Sequence, residues 1–271
     1  KRESVGPQEV LNQARRYAKG IPDSIASFSC DEYRVPFLYS SNGTIIWFID
    51  VRNEQNRSHE IKRFHTPQAL QERLSSDFDT ICQKLISTPN THPRLRPYQI
   101  QANQAVETAI TERKQKMLVA MATGTGKTFT MVNQVYRLMK SGVAKRVLFL
   151  VDRRALAAQA IRAFASFEPE PGLKFDKIYE VYSLSISLND GDDGEKVDFK
   201  KIPESYLTDP KPDHAYVYVC TIQRLTINLF GRSFASSGSD VSDEGFDEDA
   251  TELNIPIHAF DLIIADECHR G

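Results

Sequence analysis

Cysteine is scarce in this 271-residue sequence: there are four, at 30, 82, 220 and 268, and no two form a C-x-x-C pair. That excludes a disulfide scaffold and a cysteine-built zinc site, and it suits a reducing cytoplasm. Long apolar runs are also missing. The most apolar stretches, Thr44–Ile49 and Val147–Val151, are of strand length, far short of the roughly 20 residues that cross a bilayer. No secretory leader pattern is present. Charge of one sign is not in excess either, the net being −2. The whole molecule therefore does not attract nucleic acid, and any such contact must come from a local basic patch. What remains is ordinary globular composition, 41% hydrophobic and 26% charged, at a length that admits one large or two smaller domains.

The most informative stretch is Lys116–Thr130. A strand-length apolar run, Met117–Met121, leads into a polar glycine turn, and a helical pattern follows from Phe129 to Lys140. A strand, a glycine loop and a helix N-terminus together aim several backbone N–H groups and the positive end of a helix dipole at one spot, which suits a polyphosphate. Thr123, Gly124, Thr125 and Gly126 form the loop. Lys127 is placed to neutralise β- and γ-phosphates, and the Thr128 hydroxyl to hold Mg²⁺. Gly124 and Gly126 permit the turn and a close approach of backbone to phosphate. The strict P-loop pattern asks for Gly or Ala where Met121 stands; the core Gly124-x-Gly126-Lys127-Thr128 is intact.

Around this loop the chain alternates. Pro97 fits the first turn of a helix whose apolar stripe is Ala102, Ala105, Ala109 and Ile110. Gln99 is either an adenine-reading amide or a polar residue on a helix face. Arg146–Val151 reads as a buried strand, with a helix from Ala155 to about Phe164; Ile178–Tyr182 and Ala215–Cys220 read as further strands. Strands alternating with helices imply a parallel sheet covered on both faces, with ligands at the carboxyl ends of its strands. Arg153 and Arg154 stand at such an end, to meet nucleic-acid phosphates or to form a solvated turn. Thr221 is a good helix N-cap, and with Arg224 it could grip a phosphate. Residues 188–212 and the acidic stretch 232–252 read as loops. Last, the apolar strand Phe260–Ala265 runs into Asp266-Glu267. In a Walker B site Asp266 would hold the Mg²⁺ shell and Glu267 would orient or deprotonate the attacking water.

The N-terminal region reads as a small α+β unit without chemistry of its own. A helix starts at Pro7 and stops at Gly20 and Pro22, with Gln13 and Tyr17 four apart on one face. Strands Val35–Tyr39 and Thr44–Asp50 flank the turn Ser41-Asn42-Gly43; a third strand lies within Ser58–Phe64. Helices follow over Thr66–Leu74 and Phe78–Ile86, and Trp47 and Phe48 are read as core and interface residues rather than a ligand stack.

Taken together, Met121-Ala-Thr-Gly-Thr-Gly-Lys-Thr128, Leu148-Phe-Leu-Val-Asp-Arg153, Thr221-Ile-Gln-Arg224 and Asp266-Glu-Cys-His-Arg-Gly271 resemble the motor (R) subunit of type I restriction–modification enzymes, within the superfamily 2 helicases and translocases. The resemblance covers about Arg94 to Gly271. It implies an α/β chain in which a RecA-like parallel-sheet domain, 89–271, incomplete at its C-terminus, follows the C-terminal part of an α+β PD-(D/E)xK-type nuclease domain, 1–88. It further implies that Gln13-Ala-Arg-Arg-Tyr17 is the nuclease's Q-x-x-x-Y element, and it puts Lys1 about where the E-x-K lysine belongs. The implied cofactors are ATP and Mg²⁺, and the implied activity is ATP-dependent translocation on double-stranded DNA coupled to cleavage. The implied partners are that DNA and the methyltransferase and specificity subunits. In this family a second RecA-like domain supplies the arginine finger, so this stretch alone is expected to hydrolyse ATP poorly. Two rivals stand beside this reading: a superfamily 2 helicase or remodelling ATPase without nuclease activity, and a non-hydrolysing nucleotide-dependent scaffold.

Overall fold

Helix α1, Pro7–Lys19, ends where the Gly20 N–H reaches the carbonyls of Arg16 and Tyr17, both at 3.1 Å. Its apolar face, Leu11 and Ala18, packs on Leu38 and Ile49. Those two residues belong to β1, Phe37–Ser41, and β2, Ile46–Asp50, an antiparallel hairpin in the register Ser41↔Ile46. The turn between them is chemical. Asn42 Oδ1 accepts the N–H groups of Thr44 (3.1 Å) and Ile45 (2.9 Å), and Gly43 takes φ 103°, which its missing Cβ permits. β3, His59–Ile61, completes a three-stranded antiparallel sheet on the far side of β2. Phe48 is buried, as expected; Trp47, one residue back and hence on the other face, is half-buried. Helix α2, Pro67–Ser75, follows.

A computed structural model describes residues 6–26, 28–54, 56–75, 77–183, 200–233 and 250–268. They fall into two compact units: Lys1–Ser76 with Glu112–Gln115, and Asp77–Thr111 with Lys116–Gly271. The elements above form the first. The second begins with α3, Phe78–Ser87, whose N-cap Asp77 accepts the Thr80 N–H. A division at 88 would leave this helix at the end of the first region. Its buried residues Cys82 and Leu85 instead join Ile110 and Leu138 in a core of the second unit.

Helix α4, Pro97–Thr111, corrects the expected stripe. The buried positions are Gln99, Asn103, Glu107 and Ile110, while Ala105 is exposed. The inward face is mostly polar because the neighbouring helix offers hydrogen-bond partners rather than apolar ones. That neighbour is α5, Lys127–Ser141. After it come β4 (Arg146–Val151), α6 (Arg154–Ser166), β5 (Glu180–Ser183), β6 (Lys200–Lys201), α7 (Glu204–Thr208), β7 (Tyr216–Thr221), α8 (Ile222–Phe230) and β8 (Leu262–Ala265). β6 and α7 lie where a plain loop was expected; the rest of that stretch up to 199, and most of 232–252, are outside the described residues.

The five strands form a parallel sheet in the order β6-β5-β7-β4-β8. Both faces are covered, so the central strands are apolar at nearly every position. Val147, Phe149 and Val151 face the α5–α6 side with Val135, Ile161 and Phe164. Leu148 faces the other way with Tyr218, Tyr216 and Leu207. Each such side chain contributes about 1.5–3 kcal/mol on burial. Asp261 pins the β4–β8 edge: its carboxylate accepts the Lys145 and Arg146 N–H groups and the Arg146 guanidinium, at 2.8–3.0 Å.

One expected strand is not formed. Met117–Met121 pairs with no strand, and Met117, Leu118 and Val119 are 38%, 79% and 47% exposed. Among the described residues β8 is an end strand of the sheet, and its burial alternates. A strand needs a partner as much as it needs an apolar sequence, and among the described residues none lies beside this run. No helix among the described residues is long and apolar enough to cross a membrane.

Candidate functional site

The loop expected to cradle a phosphate turns on two left-handed glycines. Gly124 and Gly126 take φ 77° and 81°, and Gly126 is the N-cap of α5, so Lys127 is that helix's first residue. The turn is closed from within: Thr125 Oγ1 donates to the Ala122 carbonyl at 2.6 Å, and Thr130 N–H and Oγ1 donate to Gly126 O, both at 3.0 Å. Thr123 is exposed and Thr128 half-buried at the mouth of the turn.

The carboxyl end of β8 meets this turn. Lys127 Nζ lies 2.5 Å from Glu267 Oε1 across 140 residues of chain, both side chains being about three-quarters buried. The preceding residue is anchored to the sheet: Asp266 N–H donates to Leu150 O at 2.9 Å, and Asp266 Oδ1 accepts the Glu267 N–H at 3.0 Å. Glu267 sits at φ 53°, a left-handed conformation that costs a non-glycine residue of order 1 kcal/mol. Burial raises the Asp266 carboxyl above the usual range, with the Glu267 charge acting the same way; the Glu267 N–H and Lys127 oppose them. A cation beside Asp266 would relieve that cost. No group of three or more His, Cys, Asp or Glu among the described residues could hold a metal. The donor set here, one hydroxyl and one carboxylate, suits Mg²⁺ bound largely through substrate phosphates.

Gln99 lies against the loop, 4% exposed. Its Nε2 donates to Thr125 O at 2.9 Å and Gly126 O at 3.4 Å, and its Oε1 accepts the Arg96 N–H at 2.9 Å. With both ends engaged, the amide holds the loop; reading a base requires those bonds to exchange. Sequence reasoning missed Tyr98, whose hydroxyl donates to the same Thr125 carbonyl at 3.0 Å. Its position next to Gln99 was the available signal.

Arg153 is exposed at the end of β4, with Asp152 at 3.5 Å, and Arg154 opens α6. Thr221 and Arg224 are 4% and 7% exposed, and the Thr221 hydroxyl oxygen accepts the Arg224 N–H at 3.1 Å, the expected cap. Arg224 borders a small cavity with Ser183, Lys201 and Asn228. In the first unit Gln13 Nε2 donates to the Tyr17 hydroxyl at 2.5 Å, and Tyr17 is 67% exposed. Lys1 lies outside the described residues.

Comparison with known proteins gives two domain matches. Residues 92–271 match the family described as type III restriction enzyme, res subunit; residues 1–74 match the second domain of the type I restriction enzyme EcoKI endonuclease subunit. The gap between them, 75–91, spans the division of the two units. Over 280 aligned residues the chain is 32% identical to the EcoKI endonuclease subunit of Escherichia coli K12, covering 99% of this chain and 20% of that subunit. It is 28% identical over 192 residues to the Escherichia coli EcoAI endonuclease subunit, covering 64% and 23%. Over 84 residues it is 36% identical to UvrABC system protein B of Staphylococcus epidermidis, covering 31% and 12%. The chain thus spans about a fifth of the restriction subunits it matches. No solved structure matches it.

Proposed function

The chain belongs to the restriction-enzyme R-subunit family, and from that premise we propose that it contributes one half of the ATP site of a type I restriction enzyme's DNA motor. In this reading the second unit, which includes α3, holds the first RecA-like motor domain, and the first unit is the end of a PD-(D/E)xK-type nuclease domain. The observation that carries it is the Lys127–Glu267 contact, which brings the glycine loop and the acidic strand end into one site.

The roles follow from the chemistry of each group. Backbone N–H groups of Gly124–Thr128 and the α5 dipole receive the triphosphate. Lys127 exchanges the Glu267 carboxylate for the β- and γ-phosphates. Glu267, released, orients or deprotonates the attacking water. Thr128 and Asp266 hold Mg²⁺, which supplies charge neutralisation at the phosphates. Gln99 and Tyr98 fix the loop carbonyls at Thr125 and Gly126, and Gln99 contacts adenine when its bonds exchange. Arg153, Arg154, Thr221 and Arg224 serve double-stranded DNA, and Lys1, Gln13 and Tyr17 serve cleavage. Methyltransferase and specificity subunits complete the assembly. The test uses the full-length protein. Lys127→Ala should abolish both DNA-dependent ATP hydrolysis and cleavage, while Lys1→Ala should abolish cleavage alone. Retained hydrolysis in the first variant rules out the phosphate-loop assignment; retained cleavage in the second removes Lys1 from the nuclease. A second reading, a superfamily 2 helicase or remodelling ATPase without nuclease activity, predicts that neither Lys1 nor Tyr17 matters to activity.

A further inference from the structure

Helix α4 buries a ladder of polar side chains one turn apart, Gln99, Asn103 and Glu107. Each rung is bonded to the phosphate loop or the helix it opens. Gln99 holds the carbonyls of Thr125 and Gly126. Asn103 Nδ2 donates to Asn133 Oδ1 at 2.7 Å. Glu107 receives a fork from Arg137, Nε to Oε1 at 2.6 Å and Nη2 to Oε2 at 2.9 Å, with both side chains under a tenth exposed. The same guanidinium continues past the ladder. It donates to the carbonyls of Thr88 (2.8 Å), Pro89 (3.1 Å) and Leu85 (3.2 Å), the C-terminal end of α3 and the turn after it. A continuous chain of hydrogen bonds and helix backbone therefore runs from the loop at 125–126 to the end of α3, the first helix after residue 76.

Apolar packing would join two helices with less desolvation cost than a buried ion pair. The ladder is also incompletely satisfied: Gln134 donates to Glu107 at 3.2 Å, but its own Oε1 is buried without a partner. An orphaned acceptor of that kind costs about 1–3 kcal/mol. A rearrangement that brought a donor to this oxygen would recover that cost.

The geometry points to the α4–α5 ladder as a relay: Arg137 and Glu107 are positioning residues that carry the state of the phosphate loop to the end of α3. A nucleoside triphosphate that moves the carbonyls of Thr125 and Gly126 shifts α4 through Gln99, and Arg137 passes the shift to residues 85–89. The relay rests on the nucleotide-site reading above, so binding and response are measured separately.

The experiment follows amide hydrogen exchange at Leu85–Thr88 in the full-length protein, with and without a non-hydrolysable ATP analogue and Mg²⁺, alongside direct titration of the analogue. In the wild type, saturation should change exchange there by about fivefold or more, the scale of a modest coupling free energy. In Glu107→Leu/Arg137→Met, where an apolar pair replaces the ion pair, the analogue should bind within about twofold of wild type while the exchange response disappears. A merely structural role would alter resting exchange in the variant and leave its nucleotide response. Binding without response in the wild type overturns the relay, as does a response that survives in the variant. If that variant fails to fold, Arg137→Lys, which keeps the charge but loses the fork onto Glu107, takes its place, and a response that survives there overturns the relay. Failure of the analogue to bind at all overturns the nucleotide reading and the relay with it.

Discussion

Gly126 shows how much one missing Cβ can do. A Cβ built there would lie 2.7 Å from Gln99 Nε2, and φ is 81°; at Gly124 φ is similar, 77°, but the space is open. The two glycines therefore separate strain from collision. Gly124→Ala should cost about 1–2 kcal/mol for the left-handed backbone alone. Gly126→Ala should cost about 1–3 kcal/mol more, because Gln99 cannot withdraw without abandoning the carbonyls it holds. Urea denaturation of the two variants checks the order, and equal losses would mean that Gln99 gives way freely. Glu267 is the complementary case, a residue with a side chain accepted at φ 53° because its carboxylate meets Lys127.

Elements are legible in the sequence where one face or one period decides them. The central strands β4 and β7 read as nearly unbroken apolar runs because both of their faces are covered. The hairpin is visible from Asn42-Gly43, and the start of α8 from Thr221. That last cap gives a direct check: Thr221→Ala should lower stability by about 1 kcal/mol in thermal melts, and Thr221→Ser should restore most of it. In the site, the glycine loop and Asp266-Glu267 can be read as motifs, since backbone demands and charge fix those residue types. Their meeting through Lys127 cannot, because nothing local links residues 140 apart. The buried face of α4 is hidden for a related reason: alanines suggest the stripe, but Asn133, Gln134 and Arg137 on the partner helix select Asn103 and Glu107 instead. The strand expected at Met117–Met121 has the right composition and no described neighbour to pair with.

For the molecule as a whole, a net charge of −2 means that the DNA affinity proposed above has to come from local groups. Arg153 and Arg154 stand at the carboxyl end of the sheet, where ligands of parallel α/β domains bind. Replacing both with Ala in the full-length protein should reduce the dependence of log binding constant on log salt by about 2, one for each phosphate that is no longer neutralised. An unchanged slope, measured by titration over a range of salt, would remove them from the DNA path. Among the described residues no strand pairs with the outer side of β8, which has a different consequence. Ile263 on that strand is 59% exposed, and the unpaired Leu118 is 79% exposed. Leu262–Ala265 carries neither the lysine nor the proline that commonly blunts such an edge. At high concentration an edge of this kind is a ready template for edge-to-edge stacking between copies of the chain.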